Sequence, residues 1–377
     1  MSKPQTLEDL KDRFLQRAKI RRSPIRPPVT MEDVELFLGR LKSTDRDEWA
    51  REWGRLAEPW EKKGGEFLKA GNKEAARDAY YHAYRFYYIG RYPVPNSPGK
   101  KEAYRNSVRN FLSASRLFDL PVERVTIPFE GKEIVGYLRL PRNAKKLPLV
   151  FFWGGVDAWK EDEHELIEGF LENGWGCFVF DIPGTGECPI LASSNAERVF
   201  SAALDYLQRR PEIDPERIAI MGISFGGYWA VKMAYVENQR LKAAVNWGGG
   251  AHLYFQPEWQ KKTLEESEYL TDWFEAQAAL YGVHTLADYL EAASKLSLQT
   301  QGLLGKPSAP LLSVQGKYDS LIPISDIYLL MEQGSPKTAW VNPEGIHLGR
   351  SPGITNDYIL NMVIIPWLGT YLSAHSP

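Results

Sequence analysis

Ser224 stands in Ile218-Ala-Ile-Met-Gly222-Ile-Ser224-Phe-Gly226-Gly227, an apolar run that ends in Gly-x-Ser-x-Gly and passes straight into a second apolar stretch. Strand, sharp turn and helix in that order make the context of a nucleophile elbow. Such a turn lifts the serine oxygen above the strand end at a helix N-terminus, where the dipole favours developing negative charge. A Gly-x-Ser-x-Gly by itself is common, so the flanking strand and helix carry the assignment. A serine is inert without a base and an orienting acid, and the elbow requires them in the order Ser, acid, His. Asp319, in Gly316-Lys317-Tyr318-Asp319-Ser320, follows the apolar run Leu311 to Gln315 and is the candidate acid, with nearby Asp326 as the alternative. His347, in Pro343-Glu344-Gly345-Ile346-His347-Leu348-Gly349, is the candidate base. The chemistry of that set is acyl transfer.

An oxyanion formed at the carbonyl needs two backbone N–H donors. The candidates are Phe225, next to the serine, and Val156 in Trp153-Gly154-Gly155-Val156-Asp157, where paired glycines let backbone approach substrate closely. Asp157 and His252 fall on loops after the third and sixth predicted strands and are candidate substrate-binding residues. A loop cap (Asp157) and a solvated loop histidine (His252) are the alternatives.

These residues need a frame to position them. From Thr30 to about Leu120 the pattern is helical, with Thr30 as a helix start and Trp49, Trp53, Leu56 and Trp60 on one apolar face. Trp60, Gly64, Phe67, Ala76, Tyr80 and Ala83 match one tetratricopeptide unit, but no neighbouring copy follows, so the segment reads as a single helical hairpin. A last helix is predicted over 101–118. After Pro121 the texture changes. Strands are predicted at 124–129, 133–140, 147–153, 176–181, 218–222, 243–247, 311–315 and 339–342, and helices at 162–173, 195–209, 226–236 and 357–373. The first two strands alternate like an antiparallel pair. The rest, alternating with helices, make a doubly wound, mostly parallel sheet. The expected domains are a helical N-terminal cap, 1–120, and an α/β catalytic domain, 121–377, carrying a largely helical insertion at about 252–306.

Composition narrows the function classes. The 377 residues carry 46 Lys plus Arg against 48 Asp plus Glu, a formal charge of −2. That balance argues against a nucleic-acid or anionic-membrane partner. Two cysteines, Cys177 and Cys188, make no disulfide framework and no metal set. His164-Glu165 lacks a second histidine at metalloprotease spacing, and Gly184-Thr-Gly186 lacks the third glycine of a dinucleotide fingerprint. Met1 to Pro28 has no apolar core of a signal peptide, and no stretch reaches membrane-spanning length. The expectation is a cytoplasmic protein without metal or cofactor. Aromatic residues reach 12%, including 12 Trp and 19 Tyr, a surplus that suits either an aromatic-lined pocket or a large helical interface.

The segments Gly154-Gly155-Val-Asp157-Ala-Trp-Lys160-Glu161, Phe180-Asp181-Ile-Pro183-Gly184-Thr-Gly186-Glu187, the Ser224 elbow and Asn246-Trp247-Gly248-Gly249 carry a resemblance. The chain resembles the α/β-hydrolases, and within them the group of 2,6-dihydroxypseudooxynicotine hydrolase, the fungal heptaketide (pigment-pathway) hydrolases and FrsA-like esterases. The elbow is common to the superfamily; the first two segments are the more specific. The resemblance implies a cofactor-free serine hydrolase with a helical cap, often a homodimer. It also implies cleavage of acyl-phenol or β-dicarbonyl carbon–carbon bonds, or of esters, with Ser224, Asp319 and His347 in the triad roles. The expected substrate is a small aromatic or polyketide-like molecule. Where pyridine-substrate members place a polar binding residue, this chain reads Gly250-Ala251-His252, so the pyridine substrate does not transfer. A non-catalytic FrsA-like binding protein is the competing class.

Overall fold

Helices fill one unit of the chain and an eight-stranded sheet the other. The computed structural model describes residues 6–19, 24–266, 269–333 and 336–373. The first unit is Met1–Val122 with Glu268–Ala276, and the second is Glu123–Ser267 with Gln277–Pro377.

Among the described residues, the first unit contains the helices Leu7–Lys19 (α1), Met31–Arg40 (α2), Arg46–Lys69 (α3), Lys73–Arg91 (α4) and Pro98–Ser115 (α5), with the start of a later one. Local chemistry sets their ends. Thr30 and Asp33 cap α2 reciprocally, and Ser97 caps α5 with Pro98 in its first turn, so α5 starts ahead of the predicted Lys101. Helix α1 is not among the sequence predictions. The hairpin of α3 and α4 closes where Gly64 meets the Tyr80 ring; a Cβ there would lie 2.8 Å from Tyr80 Cδ1. Phe14, Phe37, Trp49 and Trp53 pack in mutual contact, with centroid separations from 4.4 to 5.9 Å. Much of the aromatic surplus is thus consumed inside this helical core.

The segment Glu268–Ala276, which the sequence pattern leaves inside the 252–306 insertion, belongs to this helical unit. Asp272 fixes it there. Its carboxylate accepts from Lys100 Nζ (2.9 Å), Arg46 Nη2 (2.9 Å) and Asn96 Nδ2 (3.1 Å). The Tyr269 carbonyl accepts from Arg13, and the Tyr269 ring stacks on Tyr92.

In the second unit the strands are Glu123–Phe129 (β1), Lys132–Arg139 (β2), Leu147–Trp153 (β3), Gly176–Phe180 (β4), Ile213–Ile223 (β5), Ala243–Trp247 (β6), Leu311–Gly316 (β7) and Lys337–Asn342 (β8). Their order is β1-β2-β4-β3-β5-β6-β7-β8. β1–β2 and β2–β4 pair antiparallel, and every pair from β4 to β8 is parallel. The interior strands β3, β4 and β6 are apolar along almost their whole length, as is β5 from Ile218 onward, in keeping with strands covered on both faces. β5 reaches back to Ile213, ahead of the predicted Ile218, through a register shift opposite Leu147–Leu149. The helices of this unit are His164–Glu172 (α6), Arg198–Leu207 (α7), Phe225–Val236 (α8), Pro257–Glu266 (α9), the later part of Trp273–Tyr281 (α10), Leu286–Ser294 (α11), Ser325–Glu332 (α12), Asn356–Ile359 (α13) and Ile365–Leu372 (α14). A π-helical turn, Leu360–Ile364, joins the last two. No described helix is long and apolar enough to cross a membrane.

Candidate active site

Ser224 sits between β5 and α8 with φ 56° and ψ −123°, a conformation that non-glycine residues avoid. The surroundings over-determine it. The Ser224 N–H donates to the Trp247 carbonyl at 2.8 Å, and its own carbonyl accepts from Gly227 N at 2.8 Å. A Cβ on Gly222 would lie 2.1 Å from the Gly226 carbonyl oxygen, and one on Gly226 would lie 2.2 Å from that of Gly154. The elbow therefore closes only with glycine at both positions.

His347 and Asp319 meet this serine from the far side of the sheet order. The loop after β8 folds against the loop after β7: Lys317 and Tyr318 donate their N–H groups to Asn342 and Gly345, and Trp247 Nε1 donates to the Leu348 carbonyl. His347 Nε2 lies 3.0 Å from Ser224 Oγ, and Nδ1 lies 2.8 Å from Asp319 Oδ2. Asp319 is held in turn, its Oδ1 accepting from Leu321 N (2.9 Å) and Ile322 N (3.0 Å). Since a carboxylate only accepts, His347 donates through Nδ1 and turns the lone pair of Nε2 to the serine hydroxyl.

The alternative acid, Asp326, opens α12, a helix the sequence pattern does not mark. It is fully buried and accepts from four backbone N–H groups, those of Ala251, His252, Leu253 and Tyr254, at 2.7–3.1 Å. It shapes the loop after β6 and faces no imidazole in that network.

Of the other predicted residues, Val156 is buried on the loop after β3, and Phe225 opens α8. The Phe225 N–H belongs to the first turn, whose donors have no partner inside the helix. Gly155 brings the β3 loop against the serine: a Cβ there would lie 3.1 Å from Ser224 Cβ. Asp157 is half-buried on the same loop. His252 is half-buried, with Nδ1 2.7 Å from the Oγ of buried Ser297 and 3.2 Å from Gln256 Nε2. Its ring is thus held by hydrogen bonds on one side. Cys177 is buried in β4, where burial pushes its thiol far up; burial of Cys188 likewise raises its thiol, to about 12. Burial thus works against thiolate formation at both. Among the described residues, no group of three or more His, Cys, Asp or Glu side chains is placed to hold a metal ion.

Sequence reasoning passes over one further cluster, although its residues lie in the two most specific segments. Lys160, 1% exposed, places Nζ 2.7 Å from Asp181, 2.9 Å from Glu161 and 2.9 Å from Glu187. Tyr137 donates its hydroxyl to Glu161 at 2.8 Å. Burial, together with Asp181 and Asp162, outweighs the opposing Lys160 charge and raises the Glu161 carboxyl to about 7.

The comparisons agree with this architecture. The crystal structure of 2,6-dihydroxy-pseudo-oxynicotine hydrolase superposes with a TM-score of 0.78 over 92% of this chain and 94% of that one, at 24% identity. Esterase FrsA of Photobacterium profundum is 27% identical over 281 residues, 72% of this chain and 65% of that protein. The alpha/beta hydrolase ucsC of Acremonium sp is 32% identical over 242 residues, 57% of this chain and 49% of that protein. The chain thus spans about half to two thirds of the length of these two relatives. The family model described as Esterase FrsA-like matches residues 40–340. The protein has the α/β-hydrolase fold and belongs to the FrsA-like esterase family.

Proposed function

We propose that this protein is a cofactor-free serine hydrolase. The observation that carries the reading is the hydrogen-bonded series Ser224–His347–Asp319 on a strained elbow. His347 Nε2 takes the Ser224 proton as Oγ bonds to the substrate carbonyl carbon. Asp319 keeps the imidazole in the Nδ1–H tautomer and stabilises the imidazolium that forms. The N–H groups of Phe225 and Val156 receive the oxyanion. As the oxyanion collapses, the bond from the carbonyl carbon to the leaving group breaks and His347 gives that group its proton, leaving acyl–Ser224. Water, deprotonated by His347, then bonds to the acyl carbon, the bond to Oγ breaks, and His347 returns the proton to Ser224 as the acid departs.

The substrate in this reading carries an activated carbonyl, as an acyl-phenol or β-dicarbonyl carbon–carbon bond or as a bulky ester, with Asp157 and His252 toward its polar substituent. For carbon–carbon cleavage the His347 proton goes to the departing carbanion, which a neighbouring carbonyl or phenol must stabilise. The esterase description of the family favours a second reading, plain carboxylester hydrolysis. Labelling with a fluorophosphonate tests both: Ser224 is modified in the wild-type chain and no label is taken up by Ser224→Ala. Ser224→Ala and His347→Ala each lower turnover by roughly 10³-fold or more, with little further loss in the double variant. If Ser224→Ala kept a tenth of wild-type turnover, the nucleophile would lie elsewhere; unlabelled wild-type protein would favour a non-catalytic binding protein.

A further inference from the structure

The loop after β3 sets Gly155, the neighbour of Val156, against Ser224, yet its ten residues from Gly154 to Glu163 precede α6 without a strand or helix to hold them. What holds them is side-chain chemistry. Trp159 Nε1 donates to the Val156 carbonyl at 2.9 Å, and the Trp159 N–H donates to Asp162 Oδ2 at 2.8 Å. The next residue is tied to the neighbouring strand end. Asp181, 2% exposed at the end of β4, accepts from the Lys160 backbone N–H (2.9 Å) through Oδ1 and from Lys160 Nζ (2.7 Å) through Oδ2. Oδ2 also accepts from Glu187 N at 2.8 Å, and a Cβ on Gly186 would lie 2.1 Å from that oxygen. Residue 160 is therefore gripped by both its backbone and its side chain. On the other side of Val156, Gly155 lies against Ser224.

We infer that Trp159 and the Lys160–Asp181 pair are positioning residues, which hold the Val156 N–H in register with the oxyanion formed at Ser224. A backbone donor has no side chain of its own to correct its aim, and an oxyanion donor displaced by about 1 Å loses most of its effect. The interior suits the task, because an ammonium that left its three carboxylates would strand their charges away from water. The two sequence segments most specific to this chain's relatives then have one joint purpose, since Lys160 comes from the first and Asp181 from the second. The inference rests on the reading of Ser224 as nucleophile.

Trp159→Phe is the mildest test, removing the indole N–H while keeping an aromatic ring. Relative to wild type, kcat/KM for p-nitrophenyl acetate falls about 10- to 100-fold, less than the roughly 10²- to 10³-fold loss of a whole oxyanion donor. Affinity for a trifluoromethyl ketone, which forms a tetrahedral oxyanion adduct with the serine, falls by the same factor. Lys160→Met acts in the same direction and more strongly; should it fail to fold, Trp159→Phe decides alone. Trp175→Phe, a buried indole at the start of β4, is the control for general destabilisation: it lowers Tm and leaves both ratios within about twofold. The inference is overturned if Trp159→Phe lowers Tm but keeps kcat/KM and ketone affinity within about twofold of wild type. Fluorophosphonate labelling of Ser224 separates the two failures: a labelled serine with fully active Trp159→Phe sinks only the positioning role, and an unlabelled serine sinks both.

Discussion

Asp319 and Asp326 lie on one connection, between β7 and the first turn of α12, and their carboxylates serve different neighbours. Asp319 takes His347 Nδ1 at 2.8 Å, whereas Asp326 takes four backbone N–H groups of residues 251–254. The same substitution at the two positions therefore breaks different properties. Asp319→Asn disfavours the Nδ1–H tautomer of His347 and lowers kcat by about 10³- to 10⁴-fold with little change in Tm. Asp326→Asn turns an amide nitrogen toward N–H donors in a fully buried site and costs roughly 2–5 kcal/mol of stability. Chemical denaturation alongside turnover for the two variants checks this; equal stability losses would mean that Asp326 is not the structural member.

His252 is fixed through Asp326 and Ser297, and Asp157 lies on the loop that carries Val156; in the proposed function both face the polar substituent of the substrate. Asp157→Asn and His252→Ala should weaken kcat/KM for a bulky aromatic substrate far more than for p-nitrophenyl acetate, which is too small to reach them. Equal losses on both substrates would assign the two residues to support of the loops. Product analysis of a β-diketone against its matched ester decides the bond cleaved: ester hydrolysis alone excludes carbon–carbon cleavage.

Glu161 gives the protein a pH-dependent stability term. Its carboxyl is raised to about 7. A raised group contributes stability below its ordinary value, about 4.3, and that stability is lost as pH rises through 7. Glu161→Gln keeps an acceptor for Tyr137 and Lys160 and removes the titration. The stability of Glu161→Gln minus that of wild type should increase between pH 5 and pH 8, on the order of 1–3 kcal/mol. A pH-independent difference would show that Glu161 does not titrate in this range.

Asp272 behaves in the opposite sense. Burial raises its carboxyl, but the Lys100 charge and the hydrogen bonds from Arg46, Lys100 and Asn96 outweigh that and leave it below its ordinary value. Its stabilising effect is present above about pH 4 and is lost as pH falls through the depressed value. Hydrogen exchange over 269–276 should rise first on acidification. Asp272→Ala leaves Lys100 buried without its counter-charge and costs roughly 3–5 kcal/mol. A chain beginning at residue 121 removes Arg46, Asn96 and Lys100 together, leaving this segment without its partners. It should be insoluble or inactive, and a soluble, fully active fragment would refute the dependence.

The sequence by itself determined the local features. Continuous apolar runs mark the buried strands from Leu147 to Trp247, because a strand covered on both faces does not alternate. Gly222 and Gly226 announce the turn at Ser224, and the chain order of serine, acid and histidine picks out Ser224 and His347 with an aspartate between them. Helix α1 is not read from the sequence, although Leu10, Phe14 and Ala18 stand at helical spacing after Thr6, whose hydroxyl accepts from Asp9 N. Tertiary structure decided what composition and spacing leave open. Either Asp319 or Asp326 satisfies the order of a triad, and only the fold of the β6 and β8 loops brings an imidazole to one and backbone donors to the other. The segment Glu268–Ala276 reads as part of an insertion until Asp272 finds cations from α3 and α5, more than 170 residues away in sequence. Lys160 and Asp181 likewise sit in separate motifs that become one structure only when β3 and β4 pair side by side. A charge carries no periodicity to show which partner it will meet, and that choice belongs to the packing that buries it.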